Sequence, residues 1–306
     1  MPRILRMAVL FFVTSTLLVT AVTYTIARLG LGDPFAGLGA EAALDPVAKE
    51  KLESLYGLGK GLVTGYFAFL CFLLCGNAPP SIKYGIPATD LAVKALPYTL
   101  VPVLLGVAGA VLLAIAWSLI YGFHVPGYIR FLAFVPSFVY AVVFGLTSWY
   151  FGWPPPRVCT CLDKMTVYTL LVLVVSWPRI LHMLEGVVET ILYEHQGYVE
   201  VLRAMGFREA QIRLHIMKIA AAPMAAYTAV HLAMVFERSA IIEPLLGYPG
   251  LGLMLYRAVL HADLPLATVA FAVIGFVGVV SNVLGRLFEG LLDPRVMERQ
   301  PLGSLT

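Results

Sequence analysis

Apolar residues dominate six stretches of this chain: roughly Met7–Ala27, Tyr98–Ile120, Ile129–Tyr150, Val167–Leu184, Ala221–Ile242 and Leu264–Leu287. Each approaches the roughly 20 residues a helix needs to cross the hydrocarbon core of a bilayer. The run Leu170-Leu171-Val172-Leu173-Val174-Val175 decides between helix and barrel strand. Barrel strands alternate lipid-facing and lumen-facing residues, and this run does not alternate. A backbone in lipid has to satisfy its own polar groups, so helices are what remains. The pattern predicts an all-α membrane protein with about six transmembrane helices. A seventh apolar stretch, Leu62–Leu74, covers about 13 residues, short for a span and better suited to a re-entrant or interfacial helix. Whether it enters the membrane is open, and a crossing there would put the chain ends on opposite sides.

Polar punctuation divides the rest. Residues 1–30 hold the first span and residues 31–95 a small extramembrane region. Residues 96–306 form a core of five helices. The middle region contains Asp33-Pro34, Asp45-Pro46 and Asn77-Ala78-Pro79-Pro80, all turn signals. Asp45-Pro46-Val47-Ala48-Lys49-Glu50 reads as a helix start, with a capping Asp and Pro at the first position.

The longest polar stretch of the second half runs over residues 185–220. Val201, Ala204 and Met205 recur at helical spacing, and Ile212, Ile216 and Met217 do so again after Gly206. The prediction is helix, glycine break, helix. Gly206 lets the chain turn where a β-carbon would clash. Such a segment suits either an amphipathic helix on the lipid surface or a helix that docks in a partner's groove.

Composition supports lipid as the solvent: 60% of residues are hydrophobic and 13% are charged, against about 25% charged in soluble domains. A net charge of +3 with no basic stripe excludes a nucleic-acid partner. The apolar run after Met1-Pro2-Arg3 is longer than the core of a cleaved signal peptide, about 7–15 residues, and is read as a retained first span. With an inner N-terminus and six spans, the Lys/Arg count is 11 inside and 10 outside, nearly even. Five of the outer ones lie between Lys49 and Lys94, in a long loop where the positive-inside rule is weak. The pairs Cys71/Cys75 and Cys159/Cys161 fit no zinc pattern. They read as small apolar residues, with disulfides open if both pairs face an oxidising compartment.

Catalytic signatures are missing. There is no G-x-x-x-x-G-K-[ST] phosphate loop, no H-E-x-x-H and no G-x-S-x-G. No catalytic or metal-binding residues are assigned, and His182 and His231 read as packing or interfacial groups. Charges within spans are costly and often functional. Glu237 and Arg238, near one end of the fifth span, read as interface-snorkelling groups, or as part of a pathway or inter-subunit contact. Arg179 follows Pro178, which either kinks the fourth helix or marks its inner third.

Glu200, then Gly206, then Pro223 resembles the EAA-type loop of ABC importer permeases. Tyr198-Val199 through Ala204-Met205-Gly206, and His215-Ile216-Met217-Lys218, are similar to the dipeptide/oligopeptide branch. Gly32-Asp33-Pro34, Leu96-Pro97-Tyr98-Thr99-Leu100, Pro136-Ser137-Phe138, Gly247-Tyr248-Pro249-Gly250-Leu251-Gly252 and Leu292-Asp293-Pro294-Arg295-Val296 resemble further family segments in the same order. Val201 and Leu202 replace small residues of the family pattern, and the distance from Gly206 to His215 is one residue shorter.

The resemblance implies a cytoplasmic coupling loop over 185–220 that inserts into a cleft of a separate ABC ATPase. Glu200, Ala204, Gly206, Phe207 and Arg208 would lie at or beside that contact. It also implies cytoplasmic chain ends and an extracytoplasmic 31–95 region. Further partners would be a second homologous permease, identical or not, and an extracytoplasmic substrate-binding protein. This chain would bind no cofactor, ATP-Mg belonging to the partner ATPase. Branch relatives carry dipeptides, oligopeptides, nickel chelates or oligosaccharides, and the permease sequence does not choose among them. A self-sufficient secondary transporter is the alternative, although such folds often carry internal repeats and intramembrane ion sites. An intramembrane enzyme would need a nucleophile or metal set.

Overall fold

The computed structural model describes residues 10–25 apart from 11, 19 and 23, then 61–74, 80–150, 161–261 apart from 196, and 263–292. Asp33-Pro34, Asp45-Pro46, Cys75, Cys159 and residues 293–306 lie outside them, so both cysteine pairs and the C-terminal motif fall partly or wholly outside the described structure. Cys71 is a free, exposed thiol.

The described residues contain helices and no strand. Helices α1 (Phe12–Val22) and α2 (Leu62–Leu74) precede α3 (Ala88–Tyr121), α4 (Gly127–Phe134) and α5 (Ser137–Tyr150). Then come α6 (Cys161–Glu194), α7 (Tyr198–Ala204), α8 (Glu209–Leu246), α9 (Leu251–Leu260) and α10 (Leu264–Leu292). Four helices are long and apolar enough to cross a membrane: α3, most of α6, α8 and most of α10. The pair α4 and α5 makes a fifth if counted as one bent span. The helix α3 has 34 residues. At 1.5 Å per residue it is about 50 Å long, well beyond a 30 Å hydrocarbon core. Leu105, Leu112, Val143, Leu146 and Val174 stay exposed along these helices, as lipid-facing side chains do.

Two expectations are corrected. The third apolar stretch, Ile129–Tyr150, is broken by a bend of 100°. Pro136 disfavours helical geometry at the residue before it, and Val135 is extended at φ −63° and ψ 128°. Arg179 donates to the Val135 carbonyl that the break frees, while α6 itself runs on through Pro178. The second concerns the stretch before the last span, where the sequence predicts no helix: from Leu251 it forms α9, with Leu251, Leu253 and Leu255 buried. Leu62–Leu74 is a helix with the bounds read from the sequence.

The chain divides into two compact units. Among described residues, the first comprises 102–235 and 280–292, and the second those between 10 and 101 and 236–279. In the first, helices approach where small residues permit it. A β-carbon at Gly106 of α3 would stand 2.6 Å from Val172 and 2.9 Å from the Thr169 carbonyl, both of α6. One at Gly285 of α10 would overlap Ala229 of α8. In the second unit, Tyr66 of α2 donates to the Leu17 carbonyl of α1 at 2.9 Å, and Phe12 meets Phe276 edge-on.

Replacing Gly106 by Leu overpacks the contact between α3 and α6 and should cost about 1–3 kcal/mol. The expected outcome is a lower thermal midpoint in detergent. Gly186→Ala, where the added methyl meets open space, should leave the midpoint unchanged or slightly raised.

Candidate functional site

The loop around Gly206 has an inner and an outer face. The helix α7 closes with Gly206 at φ +84°. The Phe207 N–H donates to the Leu202 carbonyl and the Gly206 N–H to the Arg203 carbonyl, the paired bonds of a Schellman ending. The next helix, α8, starts at once. The Gln211 side chain accepts from the Arg208 N–H at 2.9 Å, one half of a capping box. Arg203 and Glu209 bridge the turn at 2.7 Å, both exposed.

One residue anchors α7 inward. Leu202 is buried in a cluster with Leu184 and Val188 of α6 and Ile212, Ile216 and Ala220 of α8, flanked by Tyr198 and Val199. The sequence-derived face of α8 therefore holds. The apolar residues Val201 and Met205 of α7 do not pack into that cluster: Val201 is 57% exposed and Met205 67%. Their face points outward, and Phe207, at 41% exposure, extends it. Glu200, Ala204, Gly206 and Arg208 are exposed as well. The five residues singled out from the sequence thus share one accessible segment with a rim of charge. Glu237 and Arg238 do not join it. They lie toward the other end of α8, Glu237 exposed and Arg238 half-buried.

Charged residues that pattern reading passed over hold the neighbouring structure. Glu185, the start of the polar stretch expected to form a loop, lies within α6 and is buried at 4% exposure. Its carboxylate accepts from the Val125 N–H at 2.9 Å and from Arg130 at 2.8 Å. His182 and His124 stand 3.4 and 3.5 Å away. Arg213 of α8 donates to the Leu119 and Ile120 carbonyls at 3.0 and 2.8 Å. A cation is favourable at a helix C-terminus, where carbonyls lack partners. His231 is buried and stacked on Tyr227, and His182 meets the Phe134 ring beside its contact with Glu185.

In the second unit Glu243 is fully buried. It accepts from Thr99 and from the Gly252 N–H, each at 2.7 Å, and from the Leu253 N–H at 3.3 Å. Thr99 in turn accepts from the Leu251 N–H at 2.8 Å. The first three amides of α9 are all satisfied this way. Glycine is required beside the carboxylate: a β-carbon at Gly250 would overlap Glu243, and one at Gly252 the Ser239 backbone. Asp263 caps α10 through the Leu266 N–H at 3.2 Å and also accepts from Ser81 and the Lys83 N–H. No sequence signal marked Glu243, since it falls just past the predicted end of the fifth span, where a charge costs far less than at the bilayer centre.

Long apolar helices joined by a helix–glycine–helix loop with an exposed apolar edge define a polytopic membrane protein. The family described as binding-protein-dependent transport system inner membrane component matches residues 106–298, and the chain belongs to it. It is 26% identical to the oligopeptide transport system permease protein OppB of Salmonella typhimurium, over 96% of this chain and 98% of that protein. The OppB protein of Haemophilus influenzae is 26% identical over 90% of this chain and 92% of that one. A putative peptide permease of Brucella ovis is 24% identical over 92% and 94%. Among described residues no His, Cys, Asp and Glu group is arranged to hold a metal ion.

Truncating Glu243 to Ala strands the Gly252 and Leu253 amides and the Thr99 hydroxyl in a buried site. The expected loss is about 3 kcal/mol, read as a lower unfolding midpoint in detergent. Gly206→Ala meets no neighbour but keeps a left-handed backbone, so it should cost about 1 kcal/mol by the same measurement.

Proposed function

We propose that this chain is one of two permease subunits of an ATP-driven importer for oligopeptides, and that the Gly206 loop is its cytoplasmic contact with an ABC ATPase. The observation that carries the reading is the exposed apolar edge of Val201, Met205 and Phe207, held from behind by Leu202. An exposed apolar patch on a rigid element marks a contact surface, and this one lies in the loop that resembles the EAA-type segment. Glu200, Ala204, Gly206 and Arg208 form its immediate surround. ATP and Mg belong to the ATPase partner, whose closure would move the loop and rock the attached helices between two packed arrangements.

On this reading the chain crosses the inner membrane six times with both ends cytoplasmic, and α1 belongs to the first span. Residues 31–95 face outward and receive a substrate-binding protein. Glu237, exposed on α8, and Arg238 would line the pathway or meet the second permease. The oligopeptide assignment rests on the names of relatives that align over more than nine-tenths of both chains.

Co-purification tests the contact. Tagged wild-type chain should retain an ATPase subunit through detergent extraction. Phe207→Asp should weaken retention about 30-fold, the loss of one hot spot, with an unchanged elution profile. Uptake of labelled oligopeptide into proteoliposomes should require the binding protein and ATP hydrolysis. Transport by the isolated chain on an ion gradient would instead identify a secondary transporter.

A further inference from the structure

The connector between α3 and α4, residues 122–126, is held at both ends by charged side chains from the two helices that carry α7. At its start Arg213 of α8 grips the Leu119 and Ile120 carbonyls in the last turn of α3. At its end Glu185 of α6 takes the Val125 N–H and pairs with Arg130 of α4. Gly122, at φ +91°, turns the chain between them. Both anchors adjoin the cluster that seats α7: Leu184 precedes Glu185, Ile212 precedes Arg213, and both pack with Leu202. Beyond the connector α4 leads into the 100° bend to α5, where Arg179 of α6 holds the Val135 carbonyl.

Hydrophobic packing alone would let the connector slide against α6 and α8, since it is non-directional. Directed bonds to the connector remove that freedom. Glu185 is buried and Arg130 part-exposed, so the pair is better shielded from salt than a surface pair. We propose that Glu185 and Arg213 are positioning residues that transmit displacement of the Gly206 loop to the bent α4–α5 segment. They touch neither substrate nor ATPase. The proposal rests on the coupling role given above and adds the route by which a push on α7 reaches the rest of the unit.

The test uses the assembled importer, with its ATPase, second permease and binding protein, in proteoliposomes. The measured quantity is oligopeptide transported per ATP hydrolysed. Glu185→Gln keeps an acceptor for the Val125 N–H but discharges the Arg130 pair. Arg213→Gln discharges the grip on the α3 carbonyls. Each variant should retain its ATPase and its basal hydrolysis within about twofold, yet lose about fivefold in transport per ATP, as expected of residues on a coupling network. Arg213→Lys, which restores a cation, should recover most of the ratio. The double variant should fall short of the product of the two losses, because both residues act on one connector.

An unchanged ratio in assembled Glu185→Gln and Arg213→Gln complexes would overturn the relay. So would loss of assembly shared by Glu185→Gln, Arg213→Gln, Glu185→Asp and Arg213→Lys, which makes these residues folding determinants only. A wild-type chain that never retains an ATPase is a separate result. It removes the coupling role itself and the relay with it.

Discussion

Glu243 accepts from two amides of one helix turn and from Thr99, fully buried. A helix leaves its first amides without internal partners, and an unpaired buried amide costs as much as several good contacts return. A short helix such as α9 can start inside a packed unit only if something receives those amides. Here a carboxylate and a hydroxyl do so, at a helix end whose dipole favours negative charge. The surrounding choices follow. Gly250 and Gly252 are bare because the carboxylate and the Ser239 backbone occupy the space a side chain would need. Tyr248 is buried, and its hydroxyl reaches the Tyr98 carbonyl one residue before Thr99.

The same constraint explains the charges of the first unit. At three places where the chain leaves helical geometry there, a charged side chain from a neighbouring helix takes the released group. Glu185 receives the Val125 amide, Arg213 the last carbonyls of α3, and Arg179 the carbonyl beside the Pro136 break. Removing Glu185 is expensive because the Val125 amide it receives stays buried. These residues therefore fix the positions of breaks, which are the places where a helical membrane protein can be shaped for function.

The Gly206 loop obeys a different balance. Its backbone is satisfied internally by the two crossed bonds at Gly206 and by Gln211. Leu202 is the one buried residue of α7, so the other apolar side chains of that segment remain available. The segment is rigid without being covered. That combination favours attachment of a partner, since little ordering is left to be done on binding.

Reading the residues alone determined the all-helical class, the apolar stretches behind the long helices, and the helix–glycine–helix form of the 185–220 loop. These rest on local quantities: apolar run length, the 3.6-residue period, and the freedom of glycine to adopt positive φ. Local pattern also identified Pro136 as part of a motif, but not as the site of a 100° bend. It found Val201, Ala204 and Met205 at helical spacing, but not that Leu202 is the residue anchoring α7. Periodicity finds that a helix has an apolar stripe, and only the neighbouring helices decide which residue of a seven-residue helix is covered. It missed α9 because a ten-residue helix beginning at Leu251 owes its start to Glu243 and Thr99, the latter 152 residues away from Leu251 in the chain. The roles of Glu185 and Arg213 were invisible for the same reason. Hydrophobic pattern is written along the chain, whereas the satisfaction of broken-helix amides and carbonyls depends on which distant side chain the packing brings within hydrogen-bond reach.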